Sequence, residues 1–126
     1  MSVGEMGVVV RPGNPSSLDA VRSEMLNAFE RLRGAVHVGS PVVVVLAAED
    51  LLGHGTCEGA AFANGLIGLT RAAAFEGAKP GWKVNVLAVP AGREVSDDEA
   101  LKATSTEGLS GQVVTLGTSL VGKLLP

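Results

Sequence analysis

Residues 41–89 read Pro-Val-Val-Val-Val-Leu-Ala-Ala-Glu-Asp-Leu-Leu-Gly-His-Gly-Thr-Cys-Glu-Gly-Ala-Ala-Phe-Ala-Asn-Gly-Leu-Ile-Gly-Leu-Thr-Arg-Ala-Ala-Ala-Phe-Glu-Gly-Ala-Lys-Pro-Gly-Trp-Lys-Val-Asn-Val-Leu-Ala-Val. Val42 to Leu46 is a β-branched run without polar alternation, the pattern of a strand covered on both faces. Val84, Val86, Leu87 and Val89 repeat that pattern. Between them, residues 58–76 predict a helix. Phe62, Leu66, Leu69 and Ala73 form its bulkier side, and Ala61, Gly65, Gly68 and Ala72 form a small-residue face. Each interior glycine costs about 1 kcal/mol against alanine in a helix. The expected compensation is packing, because a face without side chains lets another backbone approach. Strand, helix and buried strand in succession imply a right-handed crossover and a parallel sheet.

Working outward, residues 7–10 read as a short buried strand, and Arg11 to Ser17 as a turn rich in proline and glycine. Ser16 or Ser17 is a suitable helix N-cap, and Ser16 with Asp19 resembles a capping pair. Leu18, Val21, Met25, Phe29 and Leu32 repeat at helical spacing and predict a helix over 18–36, stopped at Gly34 or Gly39. Arg22, Glu30, Arg31 and Arg33 read as its solvated surface. Residues 49–56 are expected to be a loop. Residues 77–81 make a turn, with Trp82 expected over the sheet edge. Ser96 starts a short helix with acids at its positive end, fading by Thr104. Residues 111–117 predict a last strand, and the apolar tail 120–126 is expected to pack on the body. The order β-α-β-α-β-α-β gives a three-layer α/β fold, a partial Rossmann-like parallel sheet of about four strands in one domain.

The totals agree. A chain of 126 residues with 46% apolar and 18% charged residues can build a core. Aromatics are 3%, so that core must be Val, Leu and Ala. The net charge of −3, without a basic stripe or aromatic platforms, argues against nucleic-acid binding. Cys57 is the single cysteine, which rules out an internal disulfide and a cysteine-based metal site and fits a reducing cytoplasm. The first residues carry no signal-peptide pattern, and no apolar run has the length of a membrane span.

Residues 65–71, Gly-Leu-Ile-Gly-Leu-Thr-Arg, closely resemble the helix after the catalytic lysine in the short-chain dehydrogenase/reductase family, especially its β-ketoacyl-carrier-protein-reductase-like members. Leu51-Leu-Gly-His-Gly is similar to the loop after the family's catalytic-serine strand. Lys83-Val-Asn-Val-Leu-Ala is similar to its next strand, Pro90-Ala-Gly to a shifted Pro-Gly turn, and Ser110 to Gly117 to its final strand. The likeness covers 41–117, and 7–36 more loosely. It implies NAD(P)-dependent ketoreductase-type chemistry, and the sequence departs from that at the decisive places. The family's Tyr-x-x-x-Lys falls on Gly59 and Ala63, and its serine on Ala47 or Ala48. The Asn-Asn-Ala-Gly after its fourth strand is matched at best by Arg11-Pro-Gly-Asn. The chain contains no tyrosine, and it has no room for the family's glycine-rich pyrophosphate turn. Carbonyl reduction needs a proton donor near neutral pH and a hydroxyl to position the carbonyl. Glycine and alanine supply neither.

Two other constellations carry less. Gly53, Gly55 and Gly59 precede a helix and could approach a phosphate, but they stand well beyond the strand end, and the plain reading is a tight loop. Glu49, Asp50, His54, Cys57 and Glu58 offer ligand and nucleophile types. The plain reading is exposed polar side chains with Cys57 partly buried, and His37 is structural. The expectation is therefore a truncated, non-catalytic family member with no catalytic, cofactor-binding or metal-binding residues and no bound cofactor. It would act in the cytoplasm as a homodimer or higher oligomer, or as the accessory subunit of a full-length reductase. In the family the two long helices form a four-helix bundle with another subunit, which places the interface on Met25, Phe29, Ala61, Gly65, Gly68, Leu69 and Ala72. The alternative is an oxidoreductase component that is completed by a partner chain or uses altered chemistry.

Overall fold

The computed structural model describes residues 7–117. Strand β1 (Val8–Val10) leads to helix α1 (Leu18–His37), strand β2 (Val42–Ala47) and the single turn α2 (Ala48–Leu51). Helix α3 (Cys57–Glu76), strand β3 (Val84–Val89), helix α4 (Asp97–Ala103) and strand β4 (Val113–Thr115) follow. The strands form one parallel sheet in the order β1-β2-β3-β4. Val9 stands beside Val43, Val44 beside Val86 and Leu87 beside Val114.

Side chains alternate across a strand, and both sides of β2 and β3 are apolar. Val42, Val44, Leu46, Val84, Val86 and Ala88 join Leu32, Phe62 and Leu66 in a core beneath α1 and α3. On the opposite face Val43, Leu87 and Val89 pack with Val95, Ala100 and Leu101. That face is covered by α4, a helix of seven residues, so Val9, Val45, Val114 and Leu116 stay partly exposed. Helices lie on both faces, as the alternating strand and helix pattern predicts, but both long helices share one face.

Local chemistry fixes the element ends. Ser17 caps α1, its Oγ accepting the Ala20 N–H at 3.1 Å, so the expected Ser16–Asp19 pair is not the cap used. Helix α1 runs through Gly34 and stops before Gly39, whose φ of +76° suits glycine. Thr56 caps α3 by accepting the Gly59 N–H at 3.0 Å. Ser96 caps α4 by accepting the Glu99 N–H at 3.1 Å. The stretch 49–56 is only partly loop, because the chain turns helically through α2 first.

Trp82 packs against Gly77 and the core beneath α3. It closes the end of that helix. Asn85 is buried within β3. Its Nδ2 donates to the Leu109 carbonyl at 2.9 Å, and its Oδ1 accepts the Gln112 N–H at 3.1 Å. That clamp aligns the approach to β4. The apolar tail 120–126 lies outside the described residues.

Candidate functional site

The C-terminal ends of parallel strands are where open α/β sheets hold ligands. Two clefts lie there, and Ala47, the last residue of β2, lines both. The first, about 290 Å³, is bounded by Asn14, Pro15, Ser16, Glu49, Asp50 and the residues Gly55, Thr56 and Gly59. The sequence places the serine and tyrosine of the resembled family at Ala47 and Gly59, and the fold brings these two positions to one cleft. Ala63 does not line it, being buried in the core under α3.

The space above Gly59 is taken. A Cβ added there would stand 2.8 Å from Asp50 Oδ1, and one added at Gly55 would stand 2.7 Å from the same oxygen. Asp50 lies within the α2 turn, which folds its carboxylate back toward the start of α3, where the helix dipole favours a negative charge. No lining residue of this cleft is cationic, and Glu49 and Asp50 are both acidic. The Thr56 hydroxyl accepts the helix cap bond. Nothing here matches a proton donor beside a lysine, and the charge disfavours an anionic dinucleotide.

The second cleft, about 540 Å³, lies between the ends of β2 and β3 and the loop 90–95. Its guanidinium groups are already engaged. Arg11 Nε donates to Asp97 Oδ1 at 2.8 Å, and its Nη2 donates to the Val95 carbonyl at 2.6 Å. Arg93 stands 3.8 Å from Glu99. Arg11 thus ties the end of β1 to the start of α4, across the end of the sheet.

His54 and Cys57 are both exposed, Cys57 as the first residue of α3 rather than partly buried, and His37 is exposed at the end of α1. Among the described residues no three His, Cys, Asp or Glu side chains gather as metal ligands. No helix among them is long and apolar enough to cross a membrane.

The outer face of α1 and α3 is different in kind. Leu18 is 79% exposed, Leu26 56% and Phe29 44%. They border a groove of about 610 Å³ with Val21, Met25 and Leu69. Beside it Ala61, Gly65, Gly68 and Ala72 are all exposed. Gly65 receives Met25 of its own chain, since an added Cβ would stand 2.6 Å from Met25 Cε. A Cβ added at Gly68 would meet nothing within 4 Å among the described residues beyond its own helix backbone and chain neighbours. Leu18 and Leu26 are contributors that the sequence reading did not single out for this face. Leu18 belongs to the α1 stripe, and its place at the helix start leaves it beyond the core.

No protein-family model and no curated protein sequence matches this chain. Solved structures do. A citronellol catabolism dehydrogenase of Pseudomonas aeruginosa PAO1 superposes with a TM-score of 0.66 at 21% identity, over 90% of this chain and 61% of that one. A 4-hydroxyisoleucine dehydrogenase, solved with NADH and succinate, gives 0.62 at 14% identity over 86% and 65%. A 3-hydroxyacyl-CoA dehydrogenase type-2 from Mycobacterium avium gives 0.54 at 19% identity over 82% and 57%. The chain therefore spans under two thirds of the length of these solved structures. At such identities the likeness concerns the backbone, and with the parallel sheet it establishes that this chain has the fold of the short-chain dehydrogenases/reductases.

Proposed function

We propose that the chain is a non-catalytic protein of short-chain dehydrogenase/reductase fold. It acts as one unit by associating through the outer face of α1 and α3. Its partner is a second copy, or a full-length reductase for which it is an accessory subunit. The observation that carries this reading is the face itself. Large apolar side chains at Leu18, Leu26 and Phe29 stand beside Gly68, over which no other described part of the chain lies. Exposed apolar surface of this kind marks an interaction site. Knobs and hollows on one surface suit a two-fold contact, in which each copy fills the other. The first cleft supports the non-catalytic part, because Ala47 and Gly59 offer no reacting group and the Asp50 carboxylate stands over Gly59.

The test is sedimentation of the chain across a concentration series, and its co-purification with a complete reductase of the same fold. Association that Phe29→Glu abolishes is the expected result. A monomer at all concentrations, with no complex and no change in reductase activity, would sink the reading. The second reading, an oxidoreductase component completed by a partner chain, draws on the 540 Å³ cleft at the strand ends. Calorimetric titration with NADH and NADPH separates the two: micromolar binding favours the component, and silence favours the association protein.

A further inference from the structure

We propose that the groove between α1 and α3 seats an amphipathic helix that brings carboxylates to Arg22, Arg33 and Arg71, in preference to a second copy of the chain. The proposal rests on association through this face and names the chemistry of the partner. Helix α1 joins β1 to β2, and α3 joins β2 to β3. Their seam therefore lies over β2, inside the sheet, and does not depend on what stands beside either outer strand. Of the residues lining the groove, six are apolar and one, Arg22, is charged. Leu18, Arg22, Leu26, Phe29 and Arg33 follow one another at steps of four, four, three and four, which sets them on one stripe of α1. Gly68, Arg71 and Phe75 repeat that spacing on α3, and Phe75 is 86% exposed. All three arginines are exposed, and among the described residues none of them makes an ion pair.

The chain's own acids stand off this stripe. Asp19 and Glu30 directly follow Leu18 and Phe29, so each is turned about 100° around α1 from its neighbour. Glu58 and Glu76 lie at the two ends of α3. Knobs as exposed as Leu18 and Leu26 border an open groove and not an enclosed pocket, and an amphipathic helix lays its apolar stripe into such a groove. The flanks of that helix then meet the arginines, where carboxylates form charge-assisted hydrogen bonds. A second copy brings the same stripe instead. A two-fold contact sets this patch against itself, with guanidinium toward guanidinium, so a copy covers the face less tightly. The net charge of the chain is −3, so its overall field favours a basic peptide. A preference for an acidic one is therefore the mark of the three arginines.

The experiment titrates the full chain by calorimetry with two helical peptides of about five turns that share one leucine and alanine stripe. One carries glutamates along its flanks and the other lysines. The acidic peptide should bind about tenfold tighter than the basic one, and the gap should narrow as salt is raised. Arg22→Glu combined with Arg33→Glu should reverse the order, and Arg22→Met should shrink the gap severalfold. Should the double variant not fold, the Arg22→Met series decides alone. Phe29→Glu should abolish binding of both peptides, and sedimentation should show self-association weaker than acidic-peptide binding. Equal binding of the two peptides, or tighter binding of the basic one, overturns the charge assignment and leaves association through the face standing. Self-association tighter than peptide binding does the same. No binding of either peptide, with a monomer at all concentrations, removes the face itself. Binding to vesicles of an anionic phospholipid, with none to the acidic peptide, would assign the arginines to a membrane surface and overturn the proposal.

Discussion

Gly59, Gly77 and Gly68 are three glycines on or beside one helix, and the structure gives each a different reason. At Gly59 an added methyl group meets the Asp50 carboxylate, and at Gly77 it stands 2.5 Å from Trp82 Cβ. An aspartate can swing aside, whereas a tryptophan packed on the core cannot. Gly77→Ala should therefore cost about 2–3 kcal/mol, in the range of overpacked cores, and Gly59→Ala less. A denaturation cycle checks the cause: Gly59→Ala should lose most of its cost in an Asp50→Ala background, because the pair is in contact. If the cost is unchanged, Asp50 is not what holds position 59 as glycine. Thr70 offers the opposite case. Its hydroxyl is buried with no hydrogen-bond partner among the described residues, so Thr70→Val should raise stability by about 1 kcal/mol, since a buried unpaired hydroxyl gives up its water for nothing. A melting temperature that falls would show that a bound water or partner satisfies it.

At the scale of elements, what the sequence displays depends on how local the cause is. The valine runs of β2 and β3, the apolar spacing of α1 and the Ser96 cap are set by neighbours in sequence, and they are legible there. The α2 turn is not. Glu49 and Asp50 look like loop residues, and only the fold shows that the turn carries Asp50 over Gly59. The candidate site was readable as a set of positions, Ala47 and Gly59, but not as a cleft with the Asp50 carboxylate over Gly59. Asn85 shows the same limit from inside a strand. It reads as a polar interruption of a valine run, and its use depends on Leu109 and Gln112, which come from a later segment. Asn85→Leu should leave β1 to β3 intact while stranding both of those backbone groups. A loss of about 1–3 kcal/mol is expected, for two part-buried hydrogen-bonding groups left unpaired. Faster amide exchange should be concentrated in β4. Uniform loss of protection across the sheet would mean that Asn85 supports the whole core and not the β4 clamp.

For the molecule as a whole, the long helices lie on one face of the sheet and leave their outer surface apolar. Stability of the single chain and association make opposite demands on that surface, and Gly68 separates them. It lies mid-helix, exposed, with open space above it. For the isolated chain, Gly68→Ala replaces the poorer helix former with the best one and should stabilise by about 1 kcal/mol. For a face that another helix approaches closely, the same methyl group stands in the way. Phe29→Glu acts differently, placing a charge in the groove at little cost to the exposed position. The two variants together should give a crossed pattern. Gly68→Ala should melt higher when dilute and associate more weakly when concentrated, while Phe29→Glu should melt nearly as wild type when dilute and not associate at all. Sedimentation equilibrium and thermal melts over a hundredfold concentration range read both quantities on the same samples. If Gly68→Ala gains stability and associates as strongly as wild type, no backbone approaches at Gly68, and any contact rests on the Leu18, Leu26 and Phe29 knobs alone.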